Sequence, residues 1–251
     1  FMLKKRIIPI VLIDGFSVLK TIRFEDRRNL GSPITVMRTY NTRNVDELII
    51  LDIDASRQNR SIDKFVIKEI SEDCLMPLTV GGGIKTLKDI EDSLRAGADK
   101  ISLNSVALQD LDFVREASQN FGSQCIVASV DIVKTDGKFC IFNRNVPTSD
   151  IILSEHLENL IEAGAGELLI NNVDKDGTMS GSEKDLGFLE QADIKIPIIY
   201  AGGINSPLDA AETLTKLGVD AIGISSIFHF TDYTPNEISK ELLLHGFPVR
   251  I

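Results

Sequence analysis

The sequence predicts an α/β fold of one domain spanning residues 1–251, a closed (β/α)8 barrel of the TIM type with two (β/α)4 halves at about 4–123 and 124–251. Three observations predict it. Eight short apolar runs alternate with helical stretches. Motifs recur between the halves at an offset near 120 residues. The length of 251 residues is the usual size of one such barrel and is short for two α/β domains.

The runs are residues 6–13, 47–52, 78–80, 100–104, 125–131, 167–171, 198–201 and 221–225. Most are almost continuously apolar, the pattern of parallel strands covered on both faces. Helix signals lie between them. Ser32-Pro33 and Thr234-Pro235 read as N-cap followed by N1. Thr86 with Asp89 reads as a capping box. Gly97 and Gly218 stand where a glycine ends a helix.

The repeat predicts closure. Gly82-Gly83-Ile84 matches Gly202-Gly203-Ile204, and Gly97-Ala98-Asp99 matches Gly218-Val219-Asp220. Asn104-Ser105 matches Ser225-Ser226, and Glu47-Leu48-Ile49-Ile50 matches Glu167-Leu168-Leu169-Ile170. Two halves of four strand–helix units make eight strands, and eight parallel strands close.

Composition excludes several classes of function. The net charge is −10 and no Lys/Arg block stands out, which argues against nucleic acid or an anionic membrane as partner. Cys74, Cys125 and Cys140 lack C-x-x-C spacing, so neither a disulfide framework nor a zinc site is expected. No metal or cofactor is expected. His229 and His245 show no metal or nucleophile spacing and read as structural or surface residues. The apolar run at 7–13 is too short to span a bilayer and no signal-peptide pattern precedes it. A cytoplasmic location is the expectation.

Candidate ligand groups fall at the carboxyl ends of the strands, where barrels of this kind bind. Gly82 and Gly83 follow the third run, and Gly202 and Gly203 follow the seventh. Glycine lets backbone N–H groups approach a ligand closely. Asn104, Ser105, Ser225 and Ser226 end the next runs and lead into helix N-termini, which favour anions. The pair of sites predicts a small molecule with a phosphate at each end. Asp131 ends the fifth run and is the candidate general acid or base. Its repeat partner is Leu12, so a symmetric acid–base pair is missing. Asp176 is placed to accept from substrate hydroxyls, and Gly177 to offer an N–H to phosphate; a plain Asx-turn is the alternative. At the opposite end, Arg6, Glu47, Lys100 and Glu167 begin four runs and could pair into a ring. Residues at that face usually serve stability.

Over residues 4–251 the chain resembles the cyclase subunit of imidazole glycerol phosphate synthase, the glutamine amidotransferase of histidine biosynthesis. The resemblance rests on Lys5-Arg6-Ile7-Ile8-Pro9, Asp46-Glu47-Leu48, Val80-Gly81-Gly82-Gly83-Ile84, Gly97-Ala98-Asp99-Lys100 and Phe121-Gly122-Ser123-Gln124. It continues through Gly164-Ala165-Gly166-Glu167, Asp174-Lys175-Asp176-Gly177-Thr178, Ser226-Ile227-Phe228-His229-Phe230 and Val249-Arg250. It implies a lyase-type synthase subunit. It also implies that a glutaminase subunit docks at the amino-terminal mouth near Asp99, and that ammonia enters through a gate of Arg6, Glu47, Lys100 and Glu167. Lys20 takes a catalytic role by the same resemblance. The family's aspartate on the first strand is absent: Leu12 stands there, and Asp14 could replace it only with a shift of register.

A second group is more similar. Paralogues of the cyclase that assist acetamidino modification of N-acetyl sugars in surface glycans share the apolar Pro9-Ile10-Val11-Leu12-Ile13. They also resemble Lys20-Thr21-Ile22-Arg23-Phe24 and Leu51-Asp52-Ile53-Asp54-Ala55-Ser56. That likeness implies an ammonia-conducting barrel, used in lipopolysaccharide-type biosynthesis, beside a separate ATP-dependent N-acetyl sugar amidotransferase. The alternatives are a working histidine-pathway cyclase and a non-catalytic activator of a glutaminase.

Overall fold

A computed structural model describes residues 4–250, apart from Asn44, Asn145 and Asp193. The chain runs β1 (Arg6–Asp14), β2 (Ser17–Lys20), β3 (Arg28–Gly31), α1 (Pro33–Asn41), β4 (Leu48–Asp52), α2 (Lys64–Ser71), β5 (Leu78–Gly81), α3 (Leu87–Arg95), β6 (Lys100–Leu103), α4 (Ser105–Gln109) and α5 (Leu111–Phe121). It continues with β7 (Ile126–Thr135), β8 (Lys138–Ile141), α6 (Leu153–Glu162), β9 (Glu167–Asn172), α7 (Phe188–Gln191), β10 (Ile198–Ala201), α8 (Pro207–Leu217), β11 (Ala221–Ile224), α9 (Ile227–Phe230) and α10 (Pro235–Leu244).

Strands β1, β4, β5, β6, β7, β9, β10 and β11 pair in parallel in that order, and β11 returns to pair with β1. The barrel is closed, as the repeat predicts. Closure leaves no open strand edge among these eight.

Side chains alternate along each strand, so every second residue enters the lumen. Ile8, Ile10 and Leu12 of β1 meet Ile49, Val127, Leu169, Ile199, Ala201 and Ala221 in one buried cluster. The intervening residues, such as Ile7, Val11 and Ile13, join a larger cluster with the helices. This two-sided burial is why the strands read as nearly continuous apolar runs.

Helix signals behave as their chemistry requires. Thr86–Asp89 and Thr234–Glu237 form reciprocal capping boxes. Gly218 caps α8 at φ +66, a left-handed conformation that costs glycine least. Ser32 occupies the N-cap of α1 without a side-chain cap bond.

Two hairpins depart from the expected alternation, and both rise above the carboxyl-end mouth. β1 pairs antiparallel with β2, and β2 with β3. β7 pairs antiparallel with β8 through Asp136-Gly137, both at positive φ. Asp-Gly is the residue pair that a two-residue turn of this twist favours. The fifth barrel strand therefore does not end at Asp131 as the sequence reading has it; it runs on to Thr135.

Candidate functional site

The four charges predicted at the amino-terminal mouth meet in a closed ring. Arg6 donates to Glu47 at 2.7 Å and to Glu167 at 2.5 Å, and Lys100 donates to Glu47 at 2.9 Å and to Glu167 at 3.0 Å. Each of these residues starts its strand or directly precedes it, so one pleat layer brings them together. Burial works against the Arg6 charge, and the carboxylates of Glu167 and Glu47 outweigh it, so its pKa lies above the ordinary arginine value. Ion pairs with both partners in place avoid the cost of a lone buried charge. Asp99 is exposed nearby, and its carboxylate accepts the Leu78 N–H at 2.8 Å.

At the carboxyl-end mouth, the two glycine turns occupy equivalent places in the halves. Gly82 has φ +129 and Gly83 φ +64; Gly202 has φ +115 and Gly203 φ +86. A Cβ on Gly82 would lie 2.5 Å from the Asp52 carbonyl oxygen, and one on Gly202 would lie 2.6 Å from that of Asn172. A Cβ on Gly83 would lie 1.8 Å from the Arg60 carbonyl oxygen. Backbone packing thus demands glycine at these turns. Among the described residues, the Gly83 and Gly203 N–H groups donate to no protein acceptor, which leaves them available to an anion.

The flanking residues differ from the expectation. The helices after Asn104 and Ser226 have only five and four residues, too short to supply a substantial dipole. The Ser225 hydroxyl donates to the Ile10 carbonyl at 2.6 Å and so holds β11 to β1. Ser226 is buried, while Ser105 accepts from the Asn143 amide at 3.1 Å.

Asp131 sits in the mouth between two amides. Asn104 donates to one carboxyl oxygen at 2.9 Å and Asn171 to the other at 3.3 Å. Burial pushes the Asp131 pKa up to about 7; the two amide donors oppose the rise, and the charge of Asp176 adds to it. A carboxyl titrating there is suited to proton transfer near neutral pH.

Leu12 lines the same cavity as Asp131 and is 8% exposed. Asp14 does not take its place. β1 keeps its register through Ile13↔Asp52 against β4 and Asp14↔Ser17 against β2, so no shift lowers Asp14 into the mouth. Its carboxylate lies 3.5 Å from Arg60 instead.

Lys20 ends β2 and is buried, with Nζ lacking a hydrogen-bond partner. Burial pushes its pKa down to about 8 against the attraction of Asp176. One carboxylate oxygen of Asp176 is taken up by the first hairpin, and the residue lines the smaller of the mouth's two cavities. It accepts from the Thr21 hydroxyl at 2.8 Å and from the Phe24 N–H at 3.4 Å. Gly177 explains its own identity here, since a Cβ would lie 2.0 Å from the Thr21 carbonyl oxygen. The first hairpin thus packs on the loop after β9.

Two cavities share the mouth. One, of about 650 Å³, is lined by Gly82, Gly83, Asn104, Ser105 and Asp131. The other, of about 50 Å³, is lined by Lys20, Asp176, Gly177, Gly202, Gly203, Ser225 and Ser226. Leu12 and Asn171 border both. The structure therefore gathers the predicted mouth residues around one centre and the predicted ring residues at the opposite end.

Sequence reasoning missed Asn171, Asn143, Arg57 and Phe24 as cavity residues. Period-two spacing from Glu167 through Leu169 would have pointed Asn171 inward. Asn143 and Phe24 depend on the hairpins, and only the Asp-Gly turn signalled one of those.

His229 is partly buried; burial first, then Lys20 and Arg43, lowers its pKa to about 4. Among the described residues, no group of three or more His, Cys, Asp or Glu could hold a metal ion. No helix there is long and apolar enough to cross a membrane.

Comparison with known proteins adds two findings. The family model described as "Histidine biosynthesis protein" matches residues 6–234. A relative from Campylobacter jejuni subsp. jejuni serotype O:2 is 47% identical over 253 aligned positions, covering 100% of both chains. Its name assigns it provisionally as imidazole glycerol phosphate synthase subunit hisF2.

Proposed function

Because the chain belongs to the histidine biosynthesis protein family, we propose that it is the synthase-type barrel of a glutamine-dependent amidotransferase. A glutaminase subunit docks over the ring of Arg6, Glu47, Lys100 and Glu167, with Asp99 at the docking surface. The ring opens and ammonia crosses the lumen to the mouth that holds Asp131. The ammonia then serves acetamidino modification of an N-acetyl sugar by a separate ATP-dependent amidotransferase.

The observation that carries this reading is the pairing of a complete charged ring with an incomplete acid–base pair. All four ring contacts are made, while Leu12, not a carboxylate, lines the same cavity as Asp131. Lumen residues above the ring are mainly apolar, which suits neutral ammonia over ammonium. Proton transfer in cyclisation draws on positioned acids and bases worth about 10²–10⁴-fold each. With one carboxyl where the cyclase uses two, ammonia delivery persists and cyclisation falls.

The second reading, a working cyclase, is favoured by one observation: Asp131 titrates near neutrality between two amides. Lys20 then supplies the further charged group. Expression in a histidine auxotroph lacking its cyclase subunit separates the readings. The proposal expects no growth without histidine; robust growth would establish the cyclase. The third reading, mere activation of a glutaminase, is tested by Lys100→Met in the complex. Under the proposal, glutamine hydrolysis continues while ammonia capture from glutamine drops at least about tenfold relative to free ammonium salt.

A further inference from the structure

The two glycine-turn sites of the mouth are unequal in volume and in the number of cations that line them. The cavity of about 650 Å³ on the first-half side has Arg27, Arg57, Lys85 and Arg144 in its wall against Asp52, Asp110 and Asp131, an excess of cations in a chain of net charge −10. The cavity of about 50 Å³ on the second-half side has the single cation Lys20, opposite Asp176.

Two of the four wall cations are neutralised. Arg27 donates to both oxygens of buried Asp54. Arg144 donates to Glu25 at 2.6 Å and to the Phe24 carbonyl at 2.8 Å.

The other two are less fully paired. Asp54 is already held by Arg27, so Arg57 reaches it only through Nε at 3.5 Å, with the guanidinium side chain 55% exposed. Lys85 donates to a neutral amide, Asn59 Oδ1, at 2.6 Å. Both stand beside the same glycine turn. Lys85 follows Gly83 by two residues. Arg57 belongs to the loop whose Ala55 and Arg60 backbone lies against Gly83. The turn thus has an available Gly83 N–H with Arg57, which shares Asp54 with Arg27, and Lys85, which has no carboxylate partner, next to it.

One phosphate monoester needs a single such arrangement. A forked guanidinium and an ammonium beside one turn, in a cavity large enough for a nucleotide-sized ligand, fit an anion that is longer and more highly charged. We infer that the first-half site takes a diphosphate ester, with one phosphoryl group at Gly82, Gly83 and Ser105 and the next between Arg57 and Lys85. The second-half site, with its single buried lysine, takes at most one anionic group. The inference rests on the anion reading of the glycine turns and deepens it by naming the ligand class.

Calorimetric titration of the intact chain with orthophosphate and with pyrophosphate tests it. The expected result is at least tenfold tighter binding of pyrophosphate, falling to less than threefold in Arg57→Gln and in Lys85→Gln, with circular dichroism unchanged. Equal affinities in the unmodified chain, or an undiminished preference in both variants, would overturn the inference. If neither anion binds at all, the anion reading itself fails; if orthophosphate binds and pyrophosphate gains nothing, only the diphosphate inference fails. Adenosine diphosphate and dimethylallyl diphosphate, compared with methyl phosphate, distinguish a nucleotide from a lipid source. A tenfold gain for either supports the class, and no gain for both overturns it.

Discussion

Lys20 shows how a single residue carries a cost that only a ligand or a special environment would relieve. Its ammonium is buried and unpaired, with a pKa of about 8 in place of about 10.5. Between those values the unfolded chain holds a proton that the folded chain releases, so stability rises as pH rises through that window. Below pH 8 the cost is fully present. Lys20→Met is expected to stabilise the fold by about 3 kcal/mol at pH 7 and by nothing above pH 10.5, read from urea unfolding at a series of pH values. A stabilising loss of a buried charge is the mark of a residue kept for function. Gly83 makes the converse point at residue scale. Its identity is set by φ +64 and by the Arg60 carbonyl, independently of any ligand.

At the scale of elements, the first hairpin is expected to open locally. Its residues are largely exposed from Ile22 to Asn29, and β3 has no buried position. Asp176 fastens it through Thr21 and Phe24, and Arg144 fastens it through Phe24 and Glu25. Asp176→Ala removes two of these bonds and leaves the barrel ladder untouched. Trypsin cleavage at Arg23, Arg27 and Arg28 is expected to accelerate several-fold while the midpoint of global unfolding moves little, as for a locally opening segment. Cleavage at the unmodified rate would show that the rest of the hairpin holds itself in place.

For the whole molecule, the decisive contacts are the two that join the halves. β6 pairs with β7, and β11 pairs with β1. Residues 4–123 alone would expose β1 and β6 as edges, and residues 124–251 alone would expose β7 and β11. Unpaired strand edges associate. Each half expressed alone is therefore expected to self-associate, whereas co-refolding should yield a 1:1 complex by size-exclusion chromatography. Discrete, stable monomers of either half would show that closure contributes less than the ladder suggests.

The sequence by itself determined the barrel, its eight strands, its two-fold repeat and the ends at which charges and glycines gather. It could do so because these features are local or periodic: parallel strands buried on both faces read as apolar runs, and a repeat fixes equivalent positions such as Gly82 and Gly202. It also showed a leucine, Leu12, at the repeat position of Asp131. Tertiary structure alone decided what each polar group is doing. Asp176 is taken up by Thr21 and Phe24, Ser225 by the Ile10 carbonyl, and Asp14 by Arg60. Asp131 acquires its amides from β9 and from the end of β6. Such partners lie far apart in the chain, and hydrogen bonds leave no periodic trace in sequence. The two cavities likewise take part of their walls from the first hairpin, through Thr21, Phe24 and Arg27 in one and Lys20 and Phe24 in the other, which no local pattern encodes.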